Sequence, residues 1–174
     1  MNILVHICCT PCFLYLEEEL RKGGHRVVGF WYNPNIHPLL EYRCRLEAIK
    51  KYCLENRIEL LINDSYALED FLRGALNEPD LRCRFCYRLR LETAAQEAAA
   101  GKFDAFTSTL LISKYQRHEL IKTIAQEASR KYGIDFYYED FRRGYYQGQN
   151  KARELSIYRQ KYCGCIFSER ERYS

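Results

Sequence analysis

No apolar run in this chain approaches the roughly 20 residues that a membrane-spanning helix needs; the longest stretches are of the size of Ile3–Val5 and Leu110–Ile112, so neither a span nor a membrane partner is expected. The opening segment Met1–His6 has no basic region followed by a small-residue cleavage site, which argues against a secretory signal and leads to an expectation of cytoplasmic placement. Low-complexity sequence is confined to a short alanine run between Ala94 and Ala100, which reads as helical. With 47% apolar and 29% charged residues, disorder is excluded. The 174 residues suffice for one domain with a substantial core and are few for two, so a single domain over 1–174 is expected.

Against these absences stands a surplus of cysteine. Nine thiols in a chain expected in a reducing compartment point to metal or redox chemistry, because disulfides are disfavoured there. The count is also odd, so a purely disulfide framework would leave one thiol over. Net charge is only +4, from 27 Lys and Arg against 23 Asp and Glu, which permits a nucleic-acid partner without requiring one. The tail is more informative. Arg142, Arg143, Lys151, Arg153, Arg159, Lys161, Arg170 and Arg172 are interleaved there with Tyr145, Tyr146, Tyr158 and Tyr162. Cations can hold phosphates while tyrosines stack on unpaired bases; the competing reading is a solvated surface rich in Arg and Tyr.

Apolar runs and breakers predict alternating strands and helices. Strands are expected at Ile3–Ile7, Arg26–Tyr32, Ile58–Ile62, Phe103–Thr107 and Asp135–Tyr138. Helices are expected from Pro11 to Lys22 with Thr10 as N-cap, over Leu40–Asn56, over Leu68–Leu76, from Cys83 to the alanine run, and from an N-cap at Ser113 to Tyr132, with a polar connector over Asn77–Arg82 and loop and helix beyond Arg142. This alternation implies an α/β fold: three layers, with a mostly parallel five-stranded sheet and helices on both faces. Ligands of such sheets lie at the carboxyl ends of the strands, near the point where strand order reverses. Cys8 and Cys9, the Asn33–His37 loop and the Thr107–Ser113 loop all follow strands and are expected on that rim.

Seven cysteines fall in three groups shaped for metal: Cys8, Cys9 and Cys12; Cys83 and Cys86; Cys163 and Cys165. Thiols three apart on a first helical turn face one way, and the turn's free N–H groups favour the thiolates. Gly164 lets the backbone bend between its two cysteines. Seven thiolates exceed the four of a mononuclear structural site but suit a four-iron cluster with three left for a neighbouring metal. Successive residues at a strand end should point to opposite sides, so Cys8 and Cys9 are expected to serve different centres. The division expected on this basis is Cys9, Cys83, Cys86 and Cys165 for the cluster and Cys8, Cys12 and Cys163 for the second metal. Cys44 and Cys53, within a helix, are expected to be packing residues. Of the four histidines, His6 reads as a satisfied core residue, while His37, in a strand-end loop, has the better functional claim.

Together these residues resemble the QueH-type epoxyqueuosine reductases over essentially the whole chain. The carriers are His6-Ile7-Cys8-Cys9-Thr10-Pro11-Cys12, Tyr32 to Pro38 with Glu41, Tyr42 and Arg45, Cys83 to Arg90, Phe106 to Ser113, and Tyr158 to Cys165. The resemblance implies a HUP-like, Rossmann-related fold, a 4Fe-4S cluster beside a separately coordinated iron, independence from cobalamin, and two-electron removal of the epoxide oxygen of epoxyqueuosine at the tRNA wobble position to give queuosine. Electrons are expected to enter through the cluster from a donor such as ferredoxin or flavodoxin, with the second metal acting as a Lewis acid toward the epoxide oxygen. His37, Tyr115, Gln116 and Arg159 are candidates for holding substrate. The nucleotide-binding relatives of this fold carry a Ser-Gly-Gly-x-Asp-Ser phosphate loop after the first strand; Ile7 to Cys12 stands here instead, which argues against ATP use. The rival readings are a zinc-stabilised RNA-binding module without catalysis and a thiol-disulfide oxidoreductase using Cys83 and Cys86.

Overall fold

The computed structural model describes residues 1–77 and 81–174. Five strands, β1 (Asn2–His6), β2 (Arg26–Trp31), β3 (Leu60–Ile62), β4 (Ala105–Ser108) and β5 (Asp135–Phe136), form one sheet in the order β3-β2-β1-β4-β5. Every pairing is parallel, with Leu4 opposite Val28 on one side and Phe106 on the other. The central strand is buried on both faces, which explains its continuous apolar run.

The helices are α1 (Thr10–Lys22), α2 (Leu39–Glu55), α3 (Leu68–Asn77), α4 (Arg82–Ala100), α5 (His118–Tyr132), α6 (Tyr145–Glu154) and α7 (Ile166–Tyr173). Helix α1 packs on α2 and α6, and α4 packs on α5 and against β1 and β4. Right-handed crossovers put these two groups on opposite faces of the sheet. Strand order reverses between β1 and β4, so the loops that leave these two strands frame the crevice where a ligand of this fold belongs.

The expected strands and helices all occur, with shorter edges. β3 and β5 keep only part of their expected lengths, since an edge strand has a neighbour on one side alone. Two helix starts differ. Cys9, not Thr10, is the N-cap of α1, extended at φ −165° and ψ 150°, with Thr10 already helical and Pro11 behind it. Ser113 closes a 3-10 turn over Thr109–Ile112, and α5 begins only after Arg117. Helix α4 opens one residue before Cys83. Of the expected connector, Asn77 ends α3 and Leu81 caps α4, while 78–80 lie outside the described residues. Cys44 is not a packing residue: α2 buries Tyr42, Arg45, Leu46, Ile49, Tyr52 and Cys53, and position 44 falls off that stripe into solvent.

Candidate metal centre

β1 ends at His6, and the chain then turns into α1 through Ile7, Cys8 and Cys9. His6 is fully buried; its Nε2 donates to the Tyr32 carbonyl at 3.1 Å, so the neutral ring presents Nδ1 to the Ser108 hydroxyl at 2.8 Å. Burial, with Arg90 nearby, holds its pKa down to about 3. It is the satisfied core histidine that its strand position suggested.

The sulfurs of Cys8, Cys9 and Cys12 all lie within 4.8 Å of one another, and those of Cys8 and Cys9 are 3.9 Å apart. The two neighbours do not point to opposite sides. Strand alternation stops with β1, and by Cys9 the backbone is already swinging into the helix. A tetrahedral centre with metal–sulfur bonds of about 2.3 Å separates its sulfurs by roughly 3.8 Å, so this triad fits one metal site. In the metal-free protein the thiols share charge unequally. The neighbouring Cys12 and Cys9 thiols, together with Arg90 and the Thr109 hydroxyl at 3.1 Å, hold the Cys8 thiol well below its ordinary range. Cys9 is pushed up by burial, and Cys12 by the neighbouring Cys8 sulfur. A metal that displaces the remaining protons would equalise the three.

The other four thiols come from two distant segments. Cys83 and Cys86 sit one turn apart at the start of α4. Cys86 is buried with Phe71 and Ala75, against Cys165 and Phe167, and burial pushes its thiol up to about 12. The Cys163-Gly164-Cys165 loop is brought there by Arg45, a buried residue of α2 whose guanidinium donates to the Cys163 carbonyl (2.9 Å), the Tyr162 carbonyl (3.0 Å) and Glu41 (2.6 Å). Tyr162 donates to the His37 carbonyl at 2.5 Å, and the His37 amide donates to the Gly164 carbonyl at 2.7 Å, so the tail and the Asn33–Pro38 loop are laced together. Gly164 must be glycine: at φ +142° a Cβ would also meet Ile36 at 3.1 Å and Asn35 at 3.3 Å.

Gln116 donates to Cys163 Sγ at 3.0 Å, and its amide oxygen accepts from the Tyr87 hydroxyl at 2.6 Å, which fixes the orientation of that amide. Tyr115, next in the chain, is 75% exposed. Its ring meets Tyr145 edge-on at 5.8 Å, Tyr145 meets Tyr146 at 5.4 Å, and Lys114 Nζ sits over all three rings. Burial raises the Tyr145 phenol to about 12, with Tyr115, Cys12 and Cys9 adding to the shift, so this aromatic group borders the cysteine triad. His37 is buried against Tyr66 and Phe71 with neither ring nitrogen hydrogen-bonded, and burial lowers it to about 4. Asn35 is equally buried with both amide atoms unpartnered. Arg159 is exposed and makes no ion pair among the described residues.

The basic tail is less free than its composition suggests. Arg142 pairs with Asp140, Arg143 with Glu139 and Glu19, and Lys151 with Glu18. By contrast, the exposed Arg84 and Arg117, beside the cysteine-bearing end of α4, have no carboxylate within 4.0 Å among the described residues. Sequence reasoning also missed Arg90, which is 1% exposed and stands among Cys8, Cys86 and Cys163. Its four-residue offset from Cys86 on a helix was the available signal.

Comparisons with known proteins agree. The family model described as epoxyqueuosine reductase QueH matches residues 3–171. The epoxyqueuosine reductase QueH of Dehalococcoides mccartyi is 37% identical over 172 residues, covering 99% of this chain and 94% of that protein. Among solved structures, a predicted subunit of tRNA methyltransferase from Methanocaldococcus jannaschii superposes with a TM-score of 0.61 at 13% identity, covering 88% of this chain and 75% of that one. The U34-tRNA thiolase NcsA of Methanococcus maripaludis, solved with its 4Fe-4S cluster, superposes with a TM-score of 0.59 at 16% identity, covering 97% and 61%. At such identities the likeness is one of fold, the HUP-like parallel sheet with flanking helices.

Proposed function

Since the chain belongs to the QueH family of epoxyqueuosine reductases, acting in tRNA queuosine biosynthesis, we propose that its seven rim cysteines hold the iron that this reduction needs. The reaction removes the epoxide oxygen as water, consuming two electrons and two protons, and leaves a carbon–carbon double bond. The observation that carries the reading is the triad of sulfurs within 4.8 Å, beside four further thiols and a buried guanidinium. When bound, a 4Fe-4S cluster supplies single electrons and a neighbouring iron supplies Lewis acidity toward an epoxide oxygen, with no need for cobalamin.

The geometry supports a division of ligands different from the one based on strand alternation. Cys8, Cys9 and Cys12 form one group, and Cys83, Cys86, Cys163 and Cys165 supply the four thiolates of the other. Placing Cys9 with the second group would pull it from a partner sulfur 3.9 Å away. Gln116, held by Tyr87, orients Cys163. Tyr115, Tyr145 and Tyr146 offer stacking faces for splayed anticodon-loop bases, and Arg84, Arg117 and Arg159 offer charge for the phosphates. His37 sits too deep for open contact with RNA; it lines the wall behind the tail loop. We place the enzyme in the cytoplasm, as one domain, drawing electrons from a small carrier of the ferredoxin or flavodoxin kind.

The test is anaerobic purification followed by iron, sulfide and zinc analysis, then single-turnover assay on tRNA carrying epoxyqueuosine. Four or more irons per chain with acid-labile sulfide is the expected result. Colourless protein holding zinc alone would favour the RNA-binding module instead.

A further inference from the structure

Arg90 lies on α4 one turn beyond Cys86, wholly inside the protein. Its NH2 donates to Asn33 Oδ1 at 3.0 Å, and the Asn33 amide nitrogen is spent on the Ile7 carbonyl at 2.7 Å, so the amide can face Arg90 in only one way. NH1 lies 3.6 Å from Cys86 Sγ, and Nε has no partner. Among the described residues no Asp or Glu lies within 4.0 Å of it. A guanidinium cannot shed its proton, so a buried one needs anionic company. The groups whose charge reaches it are the sulfurs of Cys86, in contact, and of Cys8 and Cys163, one from each of the three cysteine-bearing segments.

We infer that Arg90 is a positioning residue whose fixed positive charge, clamped by Asn33, is the counter-ion of the thiolate-bound iron centre and sets its reduction potential. The inference rests on the iron assignment above. Reduction adds negative charge to the centre; a buried cation beside it stabilises the reduced form and raises the potential. Asn33 matters as a clamp because it spends a neutral oxygen on the guanidinium, leaving the positive charge to the sulfurs.

The experiment compares anaerobically reconstituted wild-type protein with Arg90→Lys, Arg90→Gln and Arg90→Met, reading iron per chain and the midpoint potential from an EPR-monitored redox titration. Arg90→Lys is expected to keep iron and stay near the wild-type potential. The neutral variants are expected to move to lower potential by at least a tenfold change in the one-electron equilibrium, 59 mV. Should Arg90→Met not fold, Arg90→Gln, which keeps polarity and removes the charge, carries the same expectation. Iron lost from both neutral variants but kept by Arg90→Lys supports the assignment equally. Wild-type potential in an iron-loaded neutral variant overturns it, as does loss of iron from all three, which would mark Arg90 as a packing element. An iron-free wild type would instead overturn the metal reading itself, and this inference with it.

Discussion

Replacing Arg45 should uncouple the tail from the metal site. Its side chain is 2% exposed and its partner Glu41 10%, and three charge-assisted hydrogen bonds radiate from one guanidinium: to Glu41, to the Cys163 carbonyl and to the Tyr162 carbonyl. The Tyr162 ring lies 5.6 Å from the same cation. In Arg45→Met the carboxylate keeps only the Tyr158 hydroxyl, and breaking a buried pair in this way costs about 3–5 kcal/mol. Arg45→Lys keeps a charge for Glu41 but cannot span two carbonyls as well, and should cost about 2 kcal/mol. Against a total of about 5–15 kcal/mol for a domain, the first change is severe. Urea denaturation of the reduced, metal-free proteins measures these losses directly, and iron analysis after anaerobic reconstitution shows whether Cys163 and Cys165 still contribute. Arg45→Met should bind less iron than wild type even under conditions where it remains folded. A metal-free Arg45→Met within about 0.5 kcal/mol of wild type would refute the account, because that is the scatter of an ordinary surface substitution.

Alanine at Cys44, in solvent, or at Cys53, buried away from the rim, should leave iron content unchanged, while alanine at Cys12 or Cys86 lowers it; colorimetric iron assay decides. In Gly148→Ala the new Cβ would stand 2.3 Å from the Pro11 carbonyl oxygen, forcing α6 off α1 beside Cys12. That overpacking should cost about 1–3 kcal/mol and lower the thermal midpoint measured by circular dichroism. His37 has a folded pKa of about 4, below the ordinary 6.5, so the unfolded chain binds the extra proton first and stability falls as pH drops from 6.5 toward 4. His37→Phe should flatten that part of the urea-midpoint-versus-pH curve relative to wild type. Tyr115→Ala and Tyr146→Ala should each weaken binding of epoxyqueuosine-bearing tRNA by about tenfold in filter assays if each stacks on a base, whereas Arg142→Ala, its charge already spent on Asp140, should change affinity and salt dependence little.

The sheet and its rim were legible because their signals are local. Buried parallel strands read as apolar runs, and Gly23-Gly24 marks the end of α1, with the left-handed turn falling at Gly24. The three cysteine groups stood out by spacing alone. What stayed hidden depends on contacts between segments far apart. Nothing near Arg45 in the chain announces that it will hold carbonyls more than a hundred residues away. The pairing of Arg142, Arg143 and Lys151 with carboxylates of α1 and the preceding loop likewise escapes any count of basic residues. The alternation argument for Cys8 and Cys9 failed for a narrower reason: it extended a strand rule two and three residues past the end of the strand.

The lacing of the Cys163–Cys165 loop onto Arg45 and the Asn33–Pro38 loop also orders events in time. The triad is complete once α1 has formed, but the grouping proposed for Cys83, Cys86, Cys163 and Cys165 waits for Cys165, after every strand of the sheet has been made. A nascent chain therefore carries three closely set thiols while the other four strands are still being made. On the division proposed above, a metal held by Cys83, Cys86, Cys163 and Cys165 would tie the start of α4 to the segment before α7, and so could load there only after β5 is made. A ribosome stalled before Cys163 would leave a chain with a finished sheet, the Cys8, Cys9 and Cys12 triad, and two of the four other rim thiols.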